Sequence, residues 1–320
     1  MPPGKPNREN RQTSIGLSCA VLAYLTWGIS PVYFKTLAFV PALEILMHRM
    51  VWSFLFLLLI IIIFKRWRPF KEALTNRHNF RLLLASTILV SGNWFLFIWA
   101  INSDHILQTS LGYYISPLVN VLLGTVFLKE RLRNLQIIAV ILAGSGVGYL
   151  TFHHGQFPWV ALGLAISFGL YGFIRKIAPV EALEGLAVET LILSLPAAMY
   201  LFYLDYLGVG SVFRSGVHID LLLMGTALVT AFPLLMFTIG ARRLQLITIG
   251  FLQYIAPSCT FILAVFIYKE PFANVQICTF IMIWLALVVF SADAVLATCR
   301  SGQAVPSTLS KKTTLSIKRS

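Results

Sequence analysis

Apolar residues run through this chain in long blocks separated by short polar or basic stretches. Neither the strict alternation of a half-buried strand nor the narrow stripe of a soluble amphipathic helix describes most of it. The runs from Met50 to Phe64 and from Phe280 to Ala297 are nearly unbroken. A helix rises about 1.5 Å per residue, so roughly 20 apolar residues cross a hydrocarbon layer about 30 Å thick. The pattern predicts ten membrane helices at about 14–34, 42–64, 82–101, 107–128, 134–152, 158–174, 184–204, 220–240, 246–268 and 275–296. Each block must close its own backbone hydrogen bonds, because lipid offers none.

The loops give the chain a direction. With a cytoplasmic amino terminus, the cytoplasmic segments carry Lys5, Arg8 and Arg11; Lys65, Arg66, Arg68, Lys71, Arg77 and Arg81; Lys129, Arg131 and Arg133; Arg175 and Lys176; Arg242 and Arg243; and Arg300, Lys311, Lys312, Lys318 and Arg319. The other side carries only Lys35, Arg214 and Lys269, while Arg49 stays inside the second span. The positive-inside rule then puts both termini in the cytoplasm. The basic residues ahead of the first block resemble the start of a signal peptide, but the block is long and nine more follow, so an uncleaved first span is expected.

Composition agrees. Of 320 residues, 58% are hydrophobic and 12% charged, against roughly 25% charged in soluble domains. The net charge of +13 is spread between apolar blocks rather than interleaved with aromatics on one polar face, so nucleic acid is not an expected partner; the lipid bilayer and a small-molecule substrate are. Cys19, Cys259, Cys278 and Cys299 sit in or at the ends of apolar blocks without CxxC spacing and read as small packing residues. The sequence carries no HExxH, GxSxG, GxxxxGK[ST] or paired-aspartate motif, and Asp104, Asp205, Asp220 and Asp293 fall at or near span ends. Metalloprotease, lipid-pyrophosphate and ATP-driven chemistry are therefore not expected, nor are a cofactor or metal. His153-His154 reads as a solvated turn, and nothing in the pattern sets an oligomeric state.

The sequence repeats at an offset of 140 residues. Tyr114-Ile115-Ser116-Pro117 aligns with Tyr254-Ile255-Ala256-Pro257, Lys129-Glu130 with Lys269-Glu270, and Asn134 and Gln136 with Asn274 and Gln276. Val40 to Leu43 and Glu44 meet Val180 to Leu183 and Glu184, and Lys35 meets Arg175. Five spans per copy is an odd number, so the second copy enters the membrane from the opposite side. The loop charges agree: Arg131 and Arg133 become Pro271 and Ala273, whereas Asn102 and Ser103 become Arg242 and Arg243. The expected organisation is an all-α polytopic membrane protein of ten transmembrane helices in two inverted five-helix repeats: tail 1–13, first repeat 14–152, second repeat 158–297 and a basic tail 298–320 near the anionic leaflet. Inverted repeats typically build secondary transporters with a midplane site where the copies meet.

The segments Tyr24 to Lys35, Glu44 to Arg49, Gly92 to Ala100, Ser110 to Ile115 and Phe251 to Ile255 resemble the EamA group of the drug/metabolite transporter superfamily. The resemblance spans about 14–297 and implies ten helices in two inverted repeats, a bacterial inner (plasma) membrane, and transport of a small metabolite or amphipathic drug-like solute. It also implies alternating access at a site between the first, third, fourth, sixth, eighth and ninth spans. A channel would need a continuous polar ring, and an enzyme an acid and base at one depth, which the mirrored Arg49 and Glu189 do not supply.

Candidate contacts follow from polar and aromatic residues inside spans. Tyr113, Pro117 and Asn120 share one helix face, as do their repeat mates Gln253, Pro257 and Thr260; Tyr254 belongs to the same matched segment. Pro31, Pro117, Pro233 and Pro257 free backbone carbonyls and mark kinks. These features point to a midplane pocket, with kinked helices held by interhelical hydrogen bonds as the structural alternative. His48 and Arg49 lie among apolar neighbours, with Glu44 a turn before His48. Arg49 could anchor anionic cargo, and His48 or Glu189 could carry a proton; pairing or snorkelling charges are the structural alternative.

The repeat mate of Arg49 is Glu189. Inversion leaves roughly 12 Å between their levels, so separate partners are expected: Glu44 or a carbonyl for Arg49, and Tyr171 or a cytoplasmic-side base for Glu189. Trp27 and Trp94, beside Gly28, Pro31 and Asn93, are candidate pocket walls. Tryptophans at span ends read as interface anchors.

Overall fold

The computed structural model describes residues 8–303 apart from 104, 156, 213, 215 and 270–273. The expectations for the outer parts of both tails and for Asp104, Glu270, Pro271 and Ala273 lie outside the described residues. Among the described residues every regular element is helical: α1 (Arg8–Lys35), α2 (Ala42–Ile63), α3 (Trp67–Thr75), α4 (Arg77–Asn102), α5 (Ile106–Val126), α6 (Asn134–His154), α7 (Trp159–Ile177), α8 (Ala182–Tyr206), α9 (Val217–Arg243), α10 (Leu246–Gln253), α11 (Ile255–Ile262), a π-helical turn (Leu263–Ile267) and α12 (Asn274–Gln303). Nine stretches among the described residues are long and apolar enough to cross a membrane. The remaining expected span, 107–128, coincides with α5.

Several ends differ from the hydropathy reading, because a helix need not stop where apolar residues stop. α1 starts at Arg8 and α4 at Arg77, polar turns with helical geometry. The α4 start is capped by Asn76, whose side-chain oxygen accepts from the amides of His78 at 3.0 Å and Asn79 at 3.1 Å. α3 was not expected. It is a short amphipathic helix that buries Phe70 and Ala73 and leaves Trp67 exposed.

The ninth expected span is not one helix. It breaks between α10 and α11 at Tyr254 and ends in the π-helical turn. Pro257 supplies no amide to the carbonyl of Gln253, and its ring crowds that carbonyl. Pro117, its repeat mate, sits inside an unbroken α5. Lys129 (φ 55°) and Lys269 (φ 53°), also repeat mates, share the left-handed backbone conformation after their spans.

The helices pack in a definite scheme. α1 lies against α9 and α11, α7 against α4 and α5, α2 against α8, α6 against α12, and α5 against α10. The largest core cluster lies toward the amino-terminal face and combines Tyr24, Leu57, Leu83, Tyr171, Leu186 and Phe237. That face is also tied by ion pairs: Arg66 to Glu184 at 2.6 Å and Arg133 to Asp293 at 2.6 Å. On the opposite face Glu44 holds the segment after α8, accepting from the Ser211 amide at 2.6 Å and its hydroxyl at 3.0 Å. Glu44 and Glu184 are repeat mates at the starts of α2 and α8. Each grips the segment that follows the other's helix.

Candidate functional site

A cavity of about 1120 Å³ lies between α1, α2, α4, α5, α7, α9, α10 and α11 and reaches the α1–α2 loop, where Phe39 is 61% exposed. Its wall includes Trp27, Pro31, Arg49, Asn93, Trp94, Tyr113, Gln253 and Pro257, all singled out from the sequence. It also includes Tyr24, Phe34, Phe97, Ser116, Phe168 and Thr230, none of them chosen as a cargo contact from the sequence. Arg49 is the one charged side chain of the wall among the described residues. The volume lies just above the roughly 300–1,000 Å³ typical of small-molecule pockets.

Arg49 stands two turns into α2. Its Nε donates to the Thr230 hydroxyl of α9 at 2.8 Å, and its guanidinium lies 5.1 Å from the Phe34 ring centre and 5.6 Å from that of Trp94. The expected partners, Glu44 or a carbonyl, are not the ones found. Glu44 is committed to Ser211, and Thr230 approaches from α9. Asn93 is oriented by the Leu164 carbonyl and the Ser167 hydroxyl, both accepting from its Nδ2 at 2.9 Å.

Beside this wall runs an amide chain between α5 and α10. Asn120 Nδ2 donates to Gln253 Oε1 at 2.7 Å, and Gln253 Nε2 donates to the Ser116 hydroxyl at 2.8 Å. Gln253 reaches the cavity, whereas Asn120 is buried behind it. Tyr254 is also outside the wall and donates to the carbonyl of its repeat mate Tyr114 at 3.2 Å. The close crossing depends on Gly250, where a Cβ would stand 2.6 Å from the Pro117 carbonyl oxygen. Pro117 and Pro233 are likewise not wall residues.

Below the cavity, toward the amino-terminal face, aromatic rings form the floor. Trp27 and Phe168 have ring centres 5.8 Å apart, Phe168 and Phe237 5.3 Å, and Phe237 and Tyr171 6.2 Å. Beneath them lies Glu189, 1% exposed. Its Oε1 accepts from the Ser86 hydroxyl at 2.5 Å and lies 3.5 Å from Arg175 Nε, while its Oε2 accepts from the Tyr171 hydroxyl at 3.3 Å. Arg175 has no exposed surface, its Nη2 donates to the Ala182 carbonyl at 3.2 Å, and Gly185 packs on the guanidinium with no space for a Cβ.

Tyr171 and a base from the amino-terminal side are thus the partners of Glu189, but neither Glu189 nor Tyr171 touches the cavity. Arg175, counted from sequence among loop charges, is buried in the last turn of α7 because the Glu189 carboxylate faces it from α8. His48 also lies off the cavity, 4.0 Å from Glu44, with neither ring nitrogen hydrogen-bonded among the described residues.

A bundle of helices of membrane-crossing length around a solute-sized cavity, lined among the described residues by one cation and several aromatic rings, fits an integral membrane transporter. The comparisons with known proteins give the family. The EamA-like transporter family model matches residues 14–152. The chain is 47% identical to protein RarD of Salmonella typhi over 90% of this chain and 98% of that protein. It is 49% identical to an uncharacterized transporter of Vibrio cholerae, over 90% and 96% respectively. It is 32% identical to the chloramphenicol-sensitive protein RarD of Pseudomonas aeruginosa, over 87% and 94%. The chain belongs to the EamA-like transporter family and is a RarD-like membrane transporter. A solved crystal structure at 18% identity matches with a TM-score of 0.66 over 88% of this chain and 96% of that one, a likeness of fold alone.

Proposed function

We propose that this protein is a secondary transporter of the bacterial inner membrane that moves a small metabolite or amphipathic drug-like solute by alternating access. In this reading ten spans form two inverted five-helix repeats, α1–α6 and α7–α12, with both termini cytoplasmic. The packing scheme supports the repeats: exchanging each helix for its mate at the 140-residue offset turns the α1–α9 contact into the α7–α4 contact and the α1–α11 contact into the α7–α5 contact. α2–α8, α6–α12 and α5–α10 map onto themselves. Such a scheme has the symmetry of a two-fold axis, and two near-equivalent halves can exchange which face is open.

The observation that carries the reading is the contrast across that axis. Arg49 faces an open cavity, while the repeat-related Glu189 is sealed with Arg175, Tyr171 and Ser86 beneath an aromatic floor. With a cytoplasmic amino terminus this is an outward-open state. Trp27, Arg49, Asn93, Trp94, Tyr113 and Gln253 contact cargo; Tyr171 and Glu189 close the cytoplasmic side; Asn120 and Tyr254 fix the α5–α10 crossing. His48 or Glu189 would carry any coupled proton. The chain acts as a carrier and not as an enzyme.

Cysteine labelling tests this in a background with the four native cysteines replaced. Phe97→Cys, on the cavity wall, is expected to react with an impermeant maleimide from outside, and Ala187→Cys, in the sealed half, to be protected. Adding Glu189→Ala should slow the first reaction and start the second from the cytoplasmic side. Two rates that rise together would indicate a channel, and two unchanged rates would remove the gate.

A further inference from the structure

The Arg49 guanidinium spends one of its donors on Thr230, and no other hydrogen bond or ion pair to it is formed among the described residues. The carboxylates that could have neutralised it are engaged elsewhere, Glu44 with Ser211 and Glu189 with Arg175. No acidic side chain lines the cavity among the described residues. A cation inside a membrane protein is costly and is normally paired or turned toward a water-filled space. Here it is turned toward the space where cargo enters, and its ring contacts with Phe34 and Trp94 hold the planar group without using its N–H edge.

We infer that the cavity is a site for an organic monoanion, a carboxylate attached to a flat apolar body. The carboxylate would accept two parallel hydrogen bonds from the free edge of Arg49, the geometry in which a guanidinium binds most strongly. The body would lie against Trp27, Trp94 and Phe168. An amine finds no carboxylate in this wall, and a zwitterion leaves its ammonium group without one. A neutral analogue gains the rings but forgoes the charge. This inference rests on the reading of the cavity as the cargo site and names the cargo's chemical class.

A charge series on one ring system tests it: indole-3-acetate, indole-3-acetamide, tryptamine and tryptophan, added to the purified full-length protein while thermal stability is followed. Stabilisation by the acid alone is expected. Arg49→Gln should abolish it, and Arg49→Lys, which keeps the charge but loses the fork, should weaken apparent binding about tenfold. Arg49→Lys also serves where the glutamine variant fails to fold. Equal stabilisation by the amide, amine or zwitterion, undiminished binding of the acid by Arg49→Lys, or stabilisation by no member of the series would overturn the inference. The alternating-access reading stands or falls separately on the labelling rates.

Discussion

Arg49 and Glu189 occupy equivalent positions in the two halves of the chain, yet their surroundings are opposite. Arg49 has one hydroxyl partner and a cavity in front of it; Glu189 has two hydroxyls, a guanidinium and no solvent. The difference is one of neighbours as well as charge. At the offset of 140, Tyr171 and Arg175 of α7 correspond to Pro31 and Lys35 of α1. Pro31 brings no hydroxyl, and Lys35 lies over the Tyr268 ring, 3.6 Å from its centre, rather than turning inward. The second half therefore has the groups to seal around a buried charge. The first half lacks them and leaves its charge facing space. The structure thus leaves space around Arg49 and none around Glu189.

The largest expected effect is at the sealed end. Glu189→Gln leaves Arg175 buried without its counter-charge, a loss of about 3–5 kcal/mol for a broken buried pair. A marked fall in melting temperature of the detergent-solubilised protein is expected, with much of it restored when Glu189→Leu and Arg175→Leu are combined. A single variant as stable as wild type would mean that the pair does not hold the closed side. Next in size is Gly185→Ala, whose methyl group displaces the Arg175 guanidinium; overpacking of this kind costs about 1–3 kcal/mol, and the same melting assay reads it. The smallest effect on stability belongs to Arg49→Gln, which gives up one hydrogen bond from a charged donor, about 1.5–3 kcal/mol, but also removes an unneutralised cation from the membrane interior. Were it to destabilise as much as Glu189→Gln, the contrast between the halves would collapse.

The sequence was most legible where the physics is local. Apolar blocks had to be helices because each must satisfy its own backbone in lipid. Trp27, Arg49, Asn93, Trp94, Tyr113 and Gln253 stood out because polar or aromatic side chains deep in apolar runs need a reason to be there. The missed hydroxyls and Arg175 lacked such a signal. Ser86 and Thr230 are ordinary hydroxyls within spans, and each gains meaning only from a charge on another helix, more than a hundred residues distant in both cases. Arg175 looked like one more basic residue at a span end. α3 could have been noticed, since Trp67, Phe70 and Leu74 recur at helical spacing between two polar stretches. Proline did not decide the broken span alone, because Pro117 and Pro257 carry the same signal and only one helix breaks.

The chain's pattern settles the helices and, through the matched segments, suggests their pairing in two copies, because hydropathy and repeat are properties of consecutive residues. Whether a buried charge faces space or is enclosed depends on contacts across the two copies, between α1, α2 and α9 around Arg49 and between α4, α7 and α8 around Glu189. His48 and Arg49 are adjacent in sequence, yet one points away from the cavity and the other into it. Only packing decides that outcome, because neighbouring side chains diverge by about 100° around a helix and what each meets belongs to another part of the chain.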